Sequence, residues 1–184
     1  MHTLPMNIFY LSRMAARCAQ WHCDKHVVKM ILETTQLLYT AHWVLMGEPD
    51  FRDAPFRKNI YERGYKSIKN KKHPSAIWVR DSVEHYSWLC KLGKYLCDEY
   101  RYRFGVTKKH SCEEHILWLS KNIPIGFLSN GWKQPPQAMP DEYKQEDSVA
   151  AYKAYYLGPK KRLLKYTKRE IPFWILQDGL NRVL

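Results

Sequence analysis

Apolar residues recur along this chain at three- and four-residue spacings, and five stretches of that pattern are bounded by helix punctuation. Ser12 reads as the cap of a short helix running to Gln20. Asp24 reads as the cap of a longer one from Lys25 to Met46, stopped by Gly47. His73-Pro74-Ser75 reads as a helix entry, with proline in the first turn where its missing N–H costs nothing. From there 75–104 is helical in pattern, with a restart at Ser82 and an end at Gly105. Its apolar positions Val83, Tyr86, Leu89, Cys90, Tyr95 and Leu96 follow helical spacing. Ser111 and Glu114 read as a capping box for a helix through Ser120. Proline and glycine force irregular chain over 122–146, Asp147 caps a helix to Leu157, and Gly158-Pro159 breaks it. No run alternates apolar and polar residues richly enough in β-branched side chains to demand a sheet. The pattern predicts an all-α fold, a compact single-domain helical bundle with long irregular loops over 1–184.

With 45% hydrophobic and 14% aromatic residues the chain can bury a core, which excludes a disordered tail. No window approaches about 18 uninterrupted apolar residues, so no membrane partner is expected. Five cysteines, an odd number, follow no secretory pattern and suit a reducing, cytoplasmic setting. Charge changes the picture more. The chain carries 30 Lys+Arg against 18 Asp+Glu, +12 in all. Residues 52–72 hold eight Lys/Arg against Asp53 and Glu62, and 160–170 hold six against Glu170. Nearly all the excess thus lies in two short segments, which suits a polyanion better than general solubility. DNA is the expected partner, with RNA or a nucleotide as alternatives.

Candidate chemistry sits on the second helix. With His26 at zero and roughly 100° per residue, Lys29 falls near −60° and Glu33 near −20°, beside an apolar stripe through Val27, Met30, Ile31 and Leu37. An imidazole, an amine and a carboxylate on one face, partly withdrawn from water, can be tuned for proton transfer. His26, Lys29 and Glu33 are therefore the candidate catalytic residues. The competing reading is a solvated face with an i,i+4 ion pair. Cys18, His22, Cys23 and His26 offer ligand spacings, but no second cluster completes a four-ligand zinc site, and no metal or cofactor is expected.

Aromatic rings beside cations suit base stacking and phosphate contacts. On that ground Arg13, Arg17, Lys25, Lys69, Lys71, Lys72, His73, Trp78, Arg80, Tyr152, Lys153, Tyr155, Lys160 and Lys161 are the candidate nucleic-acid-binding residues. Core packing is the alternative for the tyrosines, and Trp88 and Trp118 read as core residues.

The order of short motifs resembles a protein family of phages and large DNA viruses. The matching runs are Cys23-Asp24-Lys25-His26-Val27-Val28-Lys29-Met30 with Glu33, His73-Pro74 with Trp78-Val79-Arg80, Lys109 with Ser111, Pro140 with Tyr143, and Ala151-Tyr152 with Tyr155-Tyr156. More remotely the chain resembles the phage pyrimidine-dimer DNA glycosylase, a compact all-α enzyme. Cys23-Asp24-Lys25-His26 is similar to that enzyme's Ala-Asp-Gln-His run, and Glu33 stands where its catalytic glutamate follows. Residues 72–105 resemble its central helix, and 152–160 its DNA-contacting segment. The resemblance implies a helix-borne glutamate that stabilises a developing sugar cation while an amine attacks the sugar carbon, with a base extruded from the stack. In that enzyme the amine is the processed N-terminus, whose best counterpart here is Met6-Asn7. Met1–Pro5 extend the chain beyond that point, and Leu32 stands where the glycosylase has an arginine before the glutamate. Either the amine is supplied otherwise, with Lys29 the candidate, or the covalent step is absent. The implied function is a DNA glycosylase, with or without lyase activity, acting on damaged or modified bases. The alternatives are an enzyme on free nucleotides and a non-catalytic nucleic-acid or partner-binding module.

Overall fold

The computed structural model describes residues 6–47, 51–58, 61–65, 67–129 and 131–181. Met1–Pro5, the extension noted above, and Lys66 of the first basic segment lie outside the described residues. Seven α-helices form: α1 Ala15–Trp21, α2 Asp24–Met46, α3 Pro74–Asp81, α4 Val83–Phe104, α5 Glu113–Lys121, α6 Ser148–Leu157 and α7 Phe173–Asn181. Among the described residues the extended pairings are isolated bridges, Phe56 with Arg63 and Ser82 with Ser129. The fold is all-α.

Several boundaries follow their local chemistry. Ser82 takes an extended backbone (φ −141°, ψ 143°) and its hydroxyl accepts the Glu84 N–H, which separates α3 from α4. The Asp147 carboxylate accepts the N–H groups of Val149 and Ala150 and caps α6. Gly47 and Gly105 end α2 and α4 with positive φ.

Other predicted caps are corrected. Ser12 accepts the Met14 N–H and turns the chain, and α1 begins at Ala15. Cys23, not Asp24, occupies the N-cap of α2, because the Asp24 carboxylate is engaged by the Thr167 N–H and hydroxyl. Ser111 and Glu114 form no capping box. Cys112 is the N-cap of α5 without a side-chain bond, and the His110 ring accepts its N–H. Helix α7 has no counterpart among the predicted elements; its Trp174 is buried and meets Trp21 edge-on at 6.0 Å.

Helix α4 packs on α1, α2, α3 and α5, and α2 also packs on α3 and α5. Gly93 permits that approach: a Cβ there would come within 2.8 Å of Ile116 and 3.1 Å of Thr34. The helix-propensity cost of that glycine, about 1 kcal/mol, is offset by the packing it allows. Met6–Leu11 belongs to no helix, yet every one of these residues is buried. A buried guanidinium ties the ends together. Arg103 donates to the carbonyls of Gln20 and His22, which α1 leaves unpaired at its end, and to Glu99 and Asp24. Arg169 grips the other side of Glu99 at 2.6 and 3.0 Å. Among the described residues, no helix is long and apolar enough to cross a membrane.

Candidate active site and nucleic-acid-facing surface

Helix α2 carries Lys29 and Glu33 one turn apart, with Lys29 Nζ 3.1 Å from the Glu33 carboxylate. The buried N-terminal segment lies across them and gives Glu33 a second partner: the backbone N–H of Asn7 donates to Oε2 at 3.0 Å. Asn7 is itself fixed from three sides. Its side-chain oxygen accepts the Ile8 N–H, its amide nitrogen donates to the Ala138 carbonyl, and the Tyr152 hydroxyl stands 2.6 Å from its oxygen. Glu33 is only 7% exposed. Burial pushes its carboxyl above the ordinary range, against the lowering effects of Lys29, the Asn7 N–H and Lys160. Such a group can hold or release a proton nearer neutrality than a solvated glutamate.

His26 is brought to the same neighbourhood in a different state. Its ring stacks on Phe9 at 4.1 Å and its Nδ1 lies 2.6 Å from the Tyr156 hydroxyl. Burial first, then His22, Lys160 and Lys29, lower its pKa to about 3. The imidazole is neutral at pH 7, held as part of the wall behind Lys29 and Glu33. Lys29 and Glu33 thus form an ion pair, while His26 is committed to Tyr156. His22 bonds the Cys18 carbonyl, and all five cysteines are free and buried. No group of three or more metal-ligating side chains converges among the described residues.

The candidate nucleic-acid contacts divide by exposure. Lys69, Lys71 and Lys72 are exposed; Lys71 lies over Trp43, and Arg80 donates to the Lys71 carbonyl. With Trp43 and Val44, the residues Lys71, Lys72 and Arg80 line a cavity of about 440 Å³. Ten residues of α2, about 15 Å, separate Glu33 from Trp43. On the other side, Lys160 sits over the half-buried Tyr155 at 5.0 Å, and Lys161 is exposed. Arg13, Arg17 and Lys25 are exposed. Lys153 lies over the rings of Trp21 and Trp174.

Three of these residues are engaged within the fold. Tyr152 is fully buried, its hydroxyl serving Asn7 and the Pro136 carbonyl, so no base can stack on it. Trp78 is 7% exposed, stacked on His85 at 4.3 Å, with its N–H donated to the Lys133 carbonyl. The His73 ring accepts the Ser75 N–H and caps α3. Another cavity, about 800 Å³, is formed where Arg17, Trp21, Lys168 and Phe173 line a groove against Tyr102. Sequence reasoning passed over Trp21, Phe173 and Trp132, and met Asn7 only as the counterpart of the glycosylase's amine, not as a partner of Glu33. Trp132 sits in irregular chain where periodicity carries no information.

No family model, no curated protein and no solved structure matches this chain. The functional reading therefore stands on the chemistry of these residues.

Proposed function

We propose that this protein is a DNA glycosylase acting on damaged or modified bases, with Glu33 as the acid–base residue and Lys29 as the attacking amine. The observation that carries the reading is the buried Glu33 carboxylate, held between the Asn7 N–H and the Lys29 ammonium. Asn7 is where the resembled glycosylase would carry its amine. Here that nitrogen is an amide and cannot attack, whereas Lys29 brings a primary amine to the same carboxylate.

In this mechanism Glu33 accepts a proton from Lys29 Nζ, and the freed lone pair attacks C1′ of the deoxyribose. The C1′–N bond breaks, and the base leaves with the bonding electrons and takes up a proton. The C1′–O4′ bond then opens as the attached nitrogen gives up a second proton and O4′ takes one up, leaving a protonated imine that water hydrolyses. Where a C2′ proton is removed first, elimination expels the 3′ phosphate, which is the lyase branch. The neighbouring Lys160 favours the sugar-phosphate anion, and the exposed lysines at 69, 71 and 72 suit the backbone some 15 Å along α2.

Borohydride trapping on DNA bearing a panel of lesions tests this directly. The parent should form a covalent adduct that peptide mapping places on Lys29, and Lys29→Ala should abolish it. Glu33→Gln should lower turnover by about 10² or more while DNA affinity persists. A folded Glu33→Gln protein with unchanged turnover would reduce the pair to a structural ion pair and leave the chain as a binding module.

A further inference from the structure

A separate concavity, about 420 Å³, is lined by Tyr10, Arg13, Trp88, Trp132 and Gln134. That volume falls within the range of small-ligand pockets. Trp88 and Trp132 form two walls, their rings 5.7 Å apart and inclined at 59°, and Trp78 backs Trp132 edge-on at 5.6 Å. Trp132 is 42% exposed, a large aromatic surface left to water.

The polar groups of the pocket are donors. Tyr10 is 1% exposed, and no other described residue hydrogen-bonds its hydroxyl. Burial holds that hydroxyl protonated, its pKa pushed up to about 12. Gln134 accepts the Ser148 N–H through Oε1, which leaves its amide N–H groups without a partner. Arg13 stands at the mouth with its side chain 76% exposed; Asp147, 3.8 Å away, has its carboxylate turned to the cap of α6. A cation would meet the guanidinium, whereas a flat ring with carbonyl acceptors and a phosphate matches every group present.

We infer that this pocket receives one unstacked nucleobase of a DNA strand against the exposed face of Trp132, with Arg13 on the adjoining phosphate. The inference deepens the proposed function, on which it rests: a glycosylase must open the stack, and the pocket would hold the base so displaced. Position favours it, since Asn7 and Tyr10 are separated by at most about 11 Å of chain. The loop from Trp132 to Ala138 runs along the same segment, bonded to Asn7 at Ala138. Trp132→Ala leaves that loop anchored, because neighbouring Lys133 holds His85 and Trp78 through its backbone.

Three probes are titrated at fixed salt: a short single-stranded oligothymidylate, a base-free deoxyribose-phosphate oligomer of equal length, and thymidine monophosphate. The parent should bind the base-bearing strand above both others. Trp132→Ala should weaken that binding about five- to a hundred-fold, as loss of one base–aromatic stack implies, and leave the base-free oligomer unaffected. Trp132→Phe should retain most of the affinity. Equal parent affinity for the base-bearing and base-free strands, or an unchanged Trp132→Ala, overturns the inference. Monophosphate binding as tight as the strand overturns it in favour of free nucleotides. Glu33→Gln should bind all three probes like the parent. A Glu33→Gln protein that keeps turnover while Trp132→Ala loses base-dependent binding sinks the catalytic reading and leaves the pocket standing; the reverse pattern sinks the pocket alone.

Discussion

Replacing Arg103 by methionine removes the guanidinium that closes the fold. The side chain is 0% exposed and donates to Gln20 O, His22 O, Glu99 and Asp24. Methionine fills most of the volume, so the loss is chiefly electrostatic. Glu99 keeps Arg169 and Asp24 keeps Thr167, which limits the uncompensated charge. The two α1 carbonyls keep nothing in place of the guanidinium. Breaking a buried pair costs about 3–5 kcal/mol, and orphaned buried acceptors fall in a range of about 1–3 kcal/mol each. A net loss of about 4 kcal/mol is expected. At about 2–4 °C per kcal/mol for a chain of this size, the melting temperature should drop by about 8–16 °C. Urea unfolding followed by circular dichroism, with Arg169→Met as the half-exposed counterpart, reads the difference. Arg169→Met should cost about 1 kcal/mol. A loss below about 1.5 kcal/mol for Arg103→Met, or equal losses for the two, would refute the view that the buried guanidinium holds α1, α2 and α4 together.

Replacing Lys69, Lys71 and Lys72 together should weaken duplex binding and flatten its salt dependence by up to about three units, near 0.9 per lost phosphate contact; parent-like binding at every salt concentration removes this segment from the footprint. His26 and His22, lowered to about 3 and about 4 by burial, are neutral when folded and protonate when unfolded. The unfolded chain therefore binds more protons between their folded values and about 6.5, so stability should fall as pH drops below 6.5, by at most about 1.4 kcal/mol per unit for each histidine. Glu33 is raised and acts with the opposite sign, so urea unfolding is compared in Glu33→Gln with and without His26→Gln; an unchanged acid slope contradicts the buried, neutral imidazole.

What the sequence disclosed depended on how local the cause was. The break at Ser82, the cap at Asp147 and the stops at Gly47 and Gly105 are decided within four residues, and each is legible in the chain. Asp24 misled because its carboxylate serves Thr167, 143 positions away. Tyr152 misled for a similar reason: a tyrosine beside lysines looks the same whether its hydroxyl meets DNA or Asn7. On α2, periodicity put Lys29 and Glu33 on one face. It could not supply Asn7, which completes the pair from a segment without helical pattern. Nor could it separate the Tyr156-bound His26 from the Lys29–Glu33 pair beside it. Helix α7 escaped because nothing local marks its start, and its buried Trp174 is recognisable only once Trp21 is in place.

The threading of Met6–Leu11 between α2, the 132–138 loop and α6 bears on the order of assembly. Asn7 meets Glu33 across 26 positions but Ala138 across 131 and Tyr152 across 145, and His26 meets Tyr156 across 130. Closing such long loops carries an entropic penalty that nearest-neighbour helix contacts do not. During synthesis α2 emerges early, with Glu33 and Lys29 already side by side. The 6–11 segment must wait for residues 138–152 before it can be clamped over that pair. The nascent chain therefore carries α2 before that contact network is closed, and Glu33 is covered only once residues 138–152 have been made.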